Sequence, residues 1–147
     1  MRVLLLMTAI CMAAVAARAQ SDTDWDMGGQ IRVTKPPAQG PAPGGVKKLA
    51  EDSVRAQLPD PADVAFKDVA AQVVASVRRS AFEDRIPGPL SIVCGQYAAK
   101  DTQGGQPRHG WFFVPIKHSQ ILWAEVDPPE LGDGNAYRSC KNAGLAN

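Results

Sequence analysis

The spacing of apolar side chains changes along this chain, and the changes mark out its elements. Val46, Leu49, Ala50, Val54 and Leu58 fall at helical spacing, with Lys47, Lys48, Glu51, Asp52 and Arg55 on the other side. This predicts an amphipathic helix that lays one stripe on a core and leaves a charged, solvated face. Glu51 and Arg55 stand i,i+4 in the favourable order, and Pro59 ends the helix. Asp60 and Pro61 then suit an N-cap and a first helical position. A short helical turn is expected to run from there to Phe66, whose ring plugs the core.

Lys67 to Phe82 fits two periods. Val69, Val73, Val77 and Ala81 make a helical stripe, while Val69, Ala71, Val73, Ala75 and Val77 alternate as in a strand. The β-branched content favours the strand; an Ala-rich helix stays open as the alternative. Arg78 to Pro89 reads as a connection closed by Pro87-Gly88-Pro89. Leu90 to Lys100 reads as a buried strand, Asp101 to Gly110 as a turn region around Gly104-Gly105, and Trp111 to Ile116 and Ser119 to Val126 as further strands. Pro115 places its strand at a sheet edge or at a strand end. Asp127-Pro128-Pro129 breaks the sheet, and Asn135 to Ala143 suits a last helix stopped by Gly144.

Ahead of the first helix the rhythm is lost. Residues 20–45 hold Gly28-Gly29, Pro36-Pro37, Gly40-Pro41, Pro43 and Gly44-Gly45 and read as a disordered linker. Asp22, Asp24, Trp25 and Asp26 form an acidic-aromatic cluster within it, read as part of a solvated terminus. Residues 1–19 read as a secretory signal peptide: Met1-Arg2, an apolar run from Val3 to Ala17 broken only by Thr8, and Ala17-Arg18-Ala19 before cleavage at Gln20. The run is too short for a membrane span of about 20 apolar residues, and Ile10 ahead of Cys11 does not suit a lipoprotein signal. The expected destination is the periplasm or the outside.

Cleavage changes the composition. The chain of 147 residues has a formal net charge of +1 and 3 cysteines. Losing Arg2 and Arg18 leaves 14 basic against 15 acidic side chains, a net −1, with no electrostatic case for nucleic acid. Losing Cys11 leaves Cys94 and Cys140, which in an oxidising compartment favours a disulfide. It would close a loop worth about 4 kcal/mol in the loop-entropy model. The expected architecture is therefore α+β. An N-terminal helix packs on a small antiparallel sheet of three to four strands, and the disulfide ties on a short C-terminal helix. Residues 46–147 would form a single domain.

Candidate chemistry is sparse. The serines lack a G-x-S-x-G setting, and no phosphate-cradling glycine motif is present. His109 and His118 are the only histidines; with Asp101 or Glu125 they could serve a small hydrolase or a metal-dependent enzyme, which is the alternative reading. No cofactor is expected.

The segments Leu58-Pro59-Asp60-Pro61 to Phe66 and Val93-Cys94-Gly95 to Phe112 resemble a group of small exported proteobacterial envelope proteins of uncharacterised role. Their pattern is L-x-D-P-x-x-x-x-F, then V-C-G-x-x-N-A-K-N-x-x-G-G-Y-x-G-x-x-x-F. The chain keeps Leu58, Asp60, Pro61, Phe66, Val93, Cys94, Gly95, Ala99, Lys100, Gly104, Gly105 and Phe112. It departs at Ala98, Asp101, Gln106 and Arg108, all within the hairpin. The resemblance implies an exported α+β domain and an extended segment after Lys67. It carries over no activity. The expectation is a non-enzymatic domain that binds or scaffolds another envelope protein or a cell-wall component. Its surface would be Lys100, Asp101, Gly104, Gly105, His109 and Trp111, because loops on a rigid sheet are where recognition usually sits.

Overall fold

A computed structural model of the chain describes residues 32–34, 42–80, 82–100, 107–131 and 133–147. The expected leader at residues 1–19, and Asp101, Gly104 and Gly105, lie outside them. The elements run β1 (Arg32–Thr34), α1 (Val46–Arg55), a 3-10 turn at Pro61–Asp63, β2 (Val64–Arg78), β3 (Ile86–Ala99), β4 (Arg108–Lys117), β5 (Gln120–Ile121), β6 (Glu125–Val126), a 3-10 turn at Pro129–Leu131, and α2 (Asn135–Asn142). The fold is α+β around one antiparallel sheet of 6 strands, ordered β1-β2-β3-β4-β5 with β6 also on β4.

Two expectations are corrected here. The sheet is larger than three to four strands, and the Val46 helix is not the first element. Part of the stretch read as a disordered linker forms β1, with Arg32, Val33 and Thr34 opposite Arg78, Val77 and Ser76. Pairing along an existing strand supplies the hydrogen bonds this segment could not satisfy by itself, a tertiary effect that local composition does not carry.

The two helices cover opposite faces of the sheet. Val46, Ala50 and Val54 of α1 pack on Val93, Phe112, Val114 and Ile116. Ala136, Cys140 and Ala143, from α2 and its C-terminal end, pack on Val74, Val77, Ile92, Cys94 and Phe113. Adjacent residues of β3 and β4 thus point into different cores, so both strands read as unbroken apolar runs. Fully burying each Val, Ile or Phe among them contributes roughly 1.5–3 kcal/mol. Cys94 of β3 is disulfide-bonded to Cys140 of α2, with Cα atoms 5.7 Å apart.

The ambiguous segment after Lys67 is strand, and its irregular burial explains the ambiguity. Lys67 pairs with Gln96 and Ala70 with Cys94, so Asp68 and Val69 oppose Gly95 alone. This is a β-bulge, with Asp68 at φ 52. A second irregularity, between Val74 and Ser76, falls inside the alternating run, so Val69 and Ala71 pack with the α1 core while Val77 packs with the α2 core, and neither period fits throughout.

Other boundaries moved. The turn after Asp60 is a single 3-10 turn without a side-chain cap, and β2 begins at Val64. Phe66 is half-buried and meets Phe112 edge to face, centroids 5.7 Å apart. β3 starts at Ile86, inside the expected connection. The expected strand Ser119 to Val126 is split into β5 and β6. Pro115 lies inside β4, not at an edge or an end. It stands opposite Ile92, and its carbonyl accepts the Leu122 N–H at 2.9 Å. Its missing N–H therefore faces the gap between β5 and β6, where no ladder bond is lost. α2 ends as expected: Gly144 N–H donates to Lys141 O and Leu145 N–H to Cys140 O.

Candidate functional site

One buried carboxylate organises the end of the sheet beneath α2. Asp127 is 4% exposed and follows β6 directly. Its carboxylate accepts the N–H groups of Ala136 at 3.0 Å and Tyr137 at 2.9 Å, in the first turn of α2. The residue at the N-cap, Gly134, has no side chain to do this, so a distant aspartate satisfies the free donors and meets the positive end of the helix dipole. The Asp127 N–H donates to Trp111 O at 2.9 Å, and Tyr97 Oη donates to Asp127 O at 2.7 Å. The junction is too tight for side chains at two positions. A Cβ on Gly134 would collide with the Asp127 carboxyl, and one on Gly110 with the Tyr97 ring.

This junction fixes the residues on either side of it. Trp123, Ala124 and Glu125 lead into β6, and Asn135 opens α2; with Arg79, Ser80 and Glu83 they line a recess of about 480 Å³. Phe113 packs beside the Trp123 ring at 6.5 Å. The Arg79 guanidinium lies 5.9 Å from its centroid, a cation–π arrangement.

Two of these residues carry a buried polar atom with no hydrogen-bond partner, Trp123 Nε1 and Glu125 Oε2, both closed off from solvent. A third such atom, Arg78 Nε, sits one residue before Arg79. Leaving a buried polar group unpaired costs about 1–3 kcal/mol. Burial pushes the Glu125 carboxyl above its usual value and the Asp127 charge adds to this, against the pull of Arg79, the Asn135 side chain and Arg138. Perturbed, unsatisfied groups in a concave wall are a mark of functional sites.

The residues expected to form an interaction surface are only partly brought together. Lys100 is exposed and ion-paired with Asp63. His109 is exposed near the start of β4. Trp111 is half-buried against the α2 core, its ring 5.1 Å from Tyr137. The alternative site built on both histidines is not formed. His109 lies near the start of β4 and His118 just past its end, so about 26 Å of strand separates them. Glu125 pairs opposite Phe113, partway along that strand. Among the described residues, no group of three or more His, Cys, Asp or Glu is placed to hold a metal ion.

The recess itself was missed from sequence because it joins Arg79, Ser80 and Glu83 to residues 123–125 and Asn135. One signal was readable: Glu125 is a lone charge inside the apolar run Ile121-Leu122-Trp123-Ala124-Glu125-Val126. No protein-family model, curated protein or solved structure matches the chain.

Proposed function

We propose that this chain is an exported, disulfide-braced domain that binds another envelope component without catalysing a reaction, and that the recess at Trp123 and Glu125 is its recognition site. The observation that carries the reading is a recess lined by Arg79, Glu83, Trp123 and Glu125, with buried polar atoms left unpaired in the two residues at its centre, Trp123 and Glu125. The disulfide fits an oxidising compartment. Phe82, fully exposed beside Glu83 of the recess wall, adds an apolar contact surface. The Lys100 to Trp111 surface is the less favoured site, because Lys100 is already ion-paired and Trp111 is packed into the core.

The test is capture of partners from envelope extract by the wild-type chain, Trp123→Phe, Glu125→Gln and Lys100→Ala. The reading expects a partner that is lost with the first two changes and kept with the third. A partner lost only with Lys100→Ala would move the site to the hairpin, and no specific partner at all would overturn the binding role.

A further inference from the structure

We propose that the pocket where α1 begins binds an aliphatic monocarboxylate, with the carboxylate on the free N–H groups of the first helical turn and the chain along the sheet. The pocket has a volume of about 480 Å³, within the range of small-ligand sites. Val46, Leu49, Val73, Leu90 and Ile116 make its lining mostly apolar, and among the described residues no acidic side chain lines it. Val46 and Ile116 belong to the α1 core, whereas Trp123 packs with the α2 core, so this pocket is separate from the Trp123 recess.

The helix end is the first observation. The N-cap of α1 is Gly45, which has no side chain to cap with, and the first turn holds no acidic residue. The Leu49 N–H bonds Gly45 O at 3.1 Å. This leaves the N–H groups of Val46, Lys47 and Lys48 with no acceptor among the described residues. A Cβ on Gly44 or Gly45 would meet nothing within 4 Å, so no neighbour covers the chain where it enters the helix. Such donors at the positive end of a helix dipole favour an anion.

The second observation is Ser91, independent of the helix. It is 6% exposed and is the only hydroxyl in the run Leu90-Ser91-Ile92-Val93-Cys94. It stands opposite Val73 on β2 and Ile116 on β4. Directly opposed residues share a face, and Ile116 is in the α1 core, so the Ser91 side chain points into the pocket that all three line. Among the described residues nothing bonds its hydroxyl, and that oxygen is not sealed from solvent as Trp123 Nε1 is. A hydroxyl can donate to a carboxylate oxygen. Backbone N–H groups and one hydroxyl, with no guanidinium in the lining, suit a carboxylate better than a phosphate, and the apolar walls favour an alkyl chain behind it.

The experiment titrates octanoate, 1-octanol, octylamine and acetate separately, at neutral pH, into the disulfide-intact chain and follows proton–nitrogen NMR spectra. The expected result is a saturable shift of the Val46, Lys47 and Lys48 amide peaks with octanoate. Octanol, which keeps the chain and loses the charge, should bind about ten-fold more weakly, and octylamine and acetate should give no saturable shift. Ser91→Ala should weaken octanoate binding about ten-fold, the loss of one hydrogen bond to a charged group, and Leu49→Trp, which crowds the pocket, should abolish it. Unchanged indole peaks of Trp111 and Trp123 show that each variant is folded. Should Leu49→Trp fail to fold, Ser91→Ala decides, since it removes only an unpaired hydroxyl. No saturable octanoate binding, equal binding of octanol or octylamine, shifts that leave the first turn untouched, or unchanged affinity in Ser91→Ala would overturn the proposal.

Discussion

Replacing Gly134 with alanine tests the junction under α2. Gly134 has φ −70 and ψ −173, backbone values open to any residue, so alanine brings no conformational strain. Its whole cost must come from displacing the Asp127 carboxyl, which a Cβ there would strike. That carboxyl holds two helix N–H groups at 3.0 and 2.9 Å. Charge-assisted bonds of this kind contribute about 1.5–3 kcal/mol each, and an alanine-truncated cap costs about 1 kcal/mol even in exposed settings. Gly134→Ala is therefore expected to destabilise by about 3 kcal/mol, and Asp127→Ala by about the same. The two losses are one loss. In the double variant the new methyl meets no carboxyl, so the total should stay near 3 kcal/mol rather than about 6. Urea denaturation of the four proteins, with the disulfide intact, gives the coupling directly. Additive effects, within about 0.5 kcal/mol, would refute the assignment of Asp127 as the cap that Gly134 makes room for.

Three further outcomes are expected. Replacing both Cys94 and Cys140 with alanine removes a cross-link spanning 46 residues and should cost about 4 kcal/mol by urea denaturation; a loss under about 1 kcal/mol would contradict it. Glu125 has a folded-state pKa raised above its ordinary 4.5, so the folded chain holds its proton longer and stability falls as pH rises through the window above that value. Glu125→Gln should flatten this part of the stability–pH curve and be the more stable chain at neutral pH, whereas an unchanged curve would show that the carboxyl is not desolvated. His118 and Ser119, at φ 49 and 62, form the two-residue turn between Lys117 and Gln120, where Asn-Gly is the favoured pair. The combined change His118→Asn and Ser119→Gly should raise stability by about 1 kcal/mol, measured by thermal unfolding, and a loss would refute the turn geometry.

What the sequence disclosed follows from how local each feature is. The α1 stripe was legible because a helix displays its buried face at a fixed period, and Val46, Ala50 and Val54 are the buried residues. β3 and β4 were legible as continuous apolar runs, because helices cover both faces. The Cys94–Cys140 pairing was legible because only two cysteines remain once the expected leader is set aside. β2 resisted because its register is irregular at Asp68-Val69 and again between Val74 and Ser76, inside the run that alternates in the sequence. β1 was hidden because its partners lie more than forty residues away, at Ser76 to Arg78. Asp127 read as a strand breaker, since nothing in Asp-Pro-Pro announces that its carboxylate caps a helix beginning at Asn135. The recess combines three such distant segments, which local patterns do not encode.

The β2 bulge also bears on strand addition at the border of the sheet. Among the described residues, β1 covers only Ser76 to Arg78 of β2, so most of that strand borders the outside of the sheet. A long, flat, unpaired border is a template on which a second chain can add a strand and begin a fibril. Here Asp68 and Val69 bend the border, Lys67 and Asp68 put both charge signs on it, and the Lys47 ammonium donates to Val69 O at 2.7 Å. An incoming strand could not keep register past that point without stripping the lysine away and accommodating the extra residue. A bulge at Asp68 and Val69 therefore works against strand addition there, and deleting Asp68 would leave a straighter border.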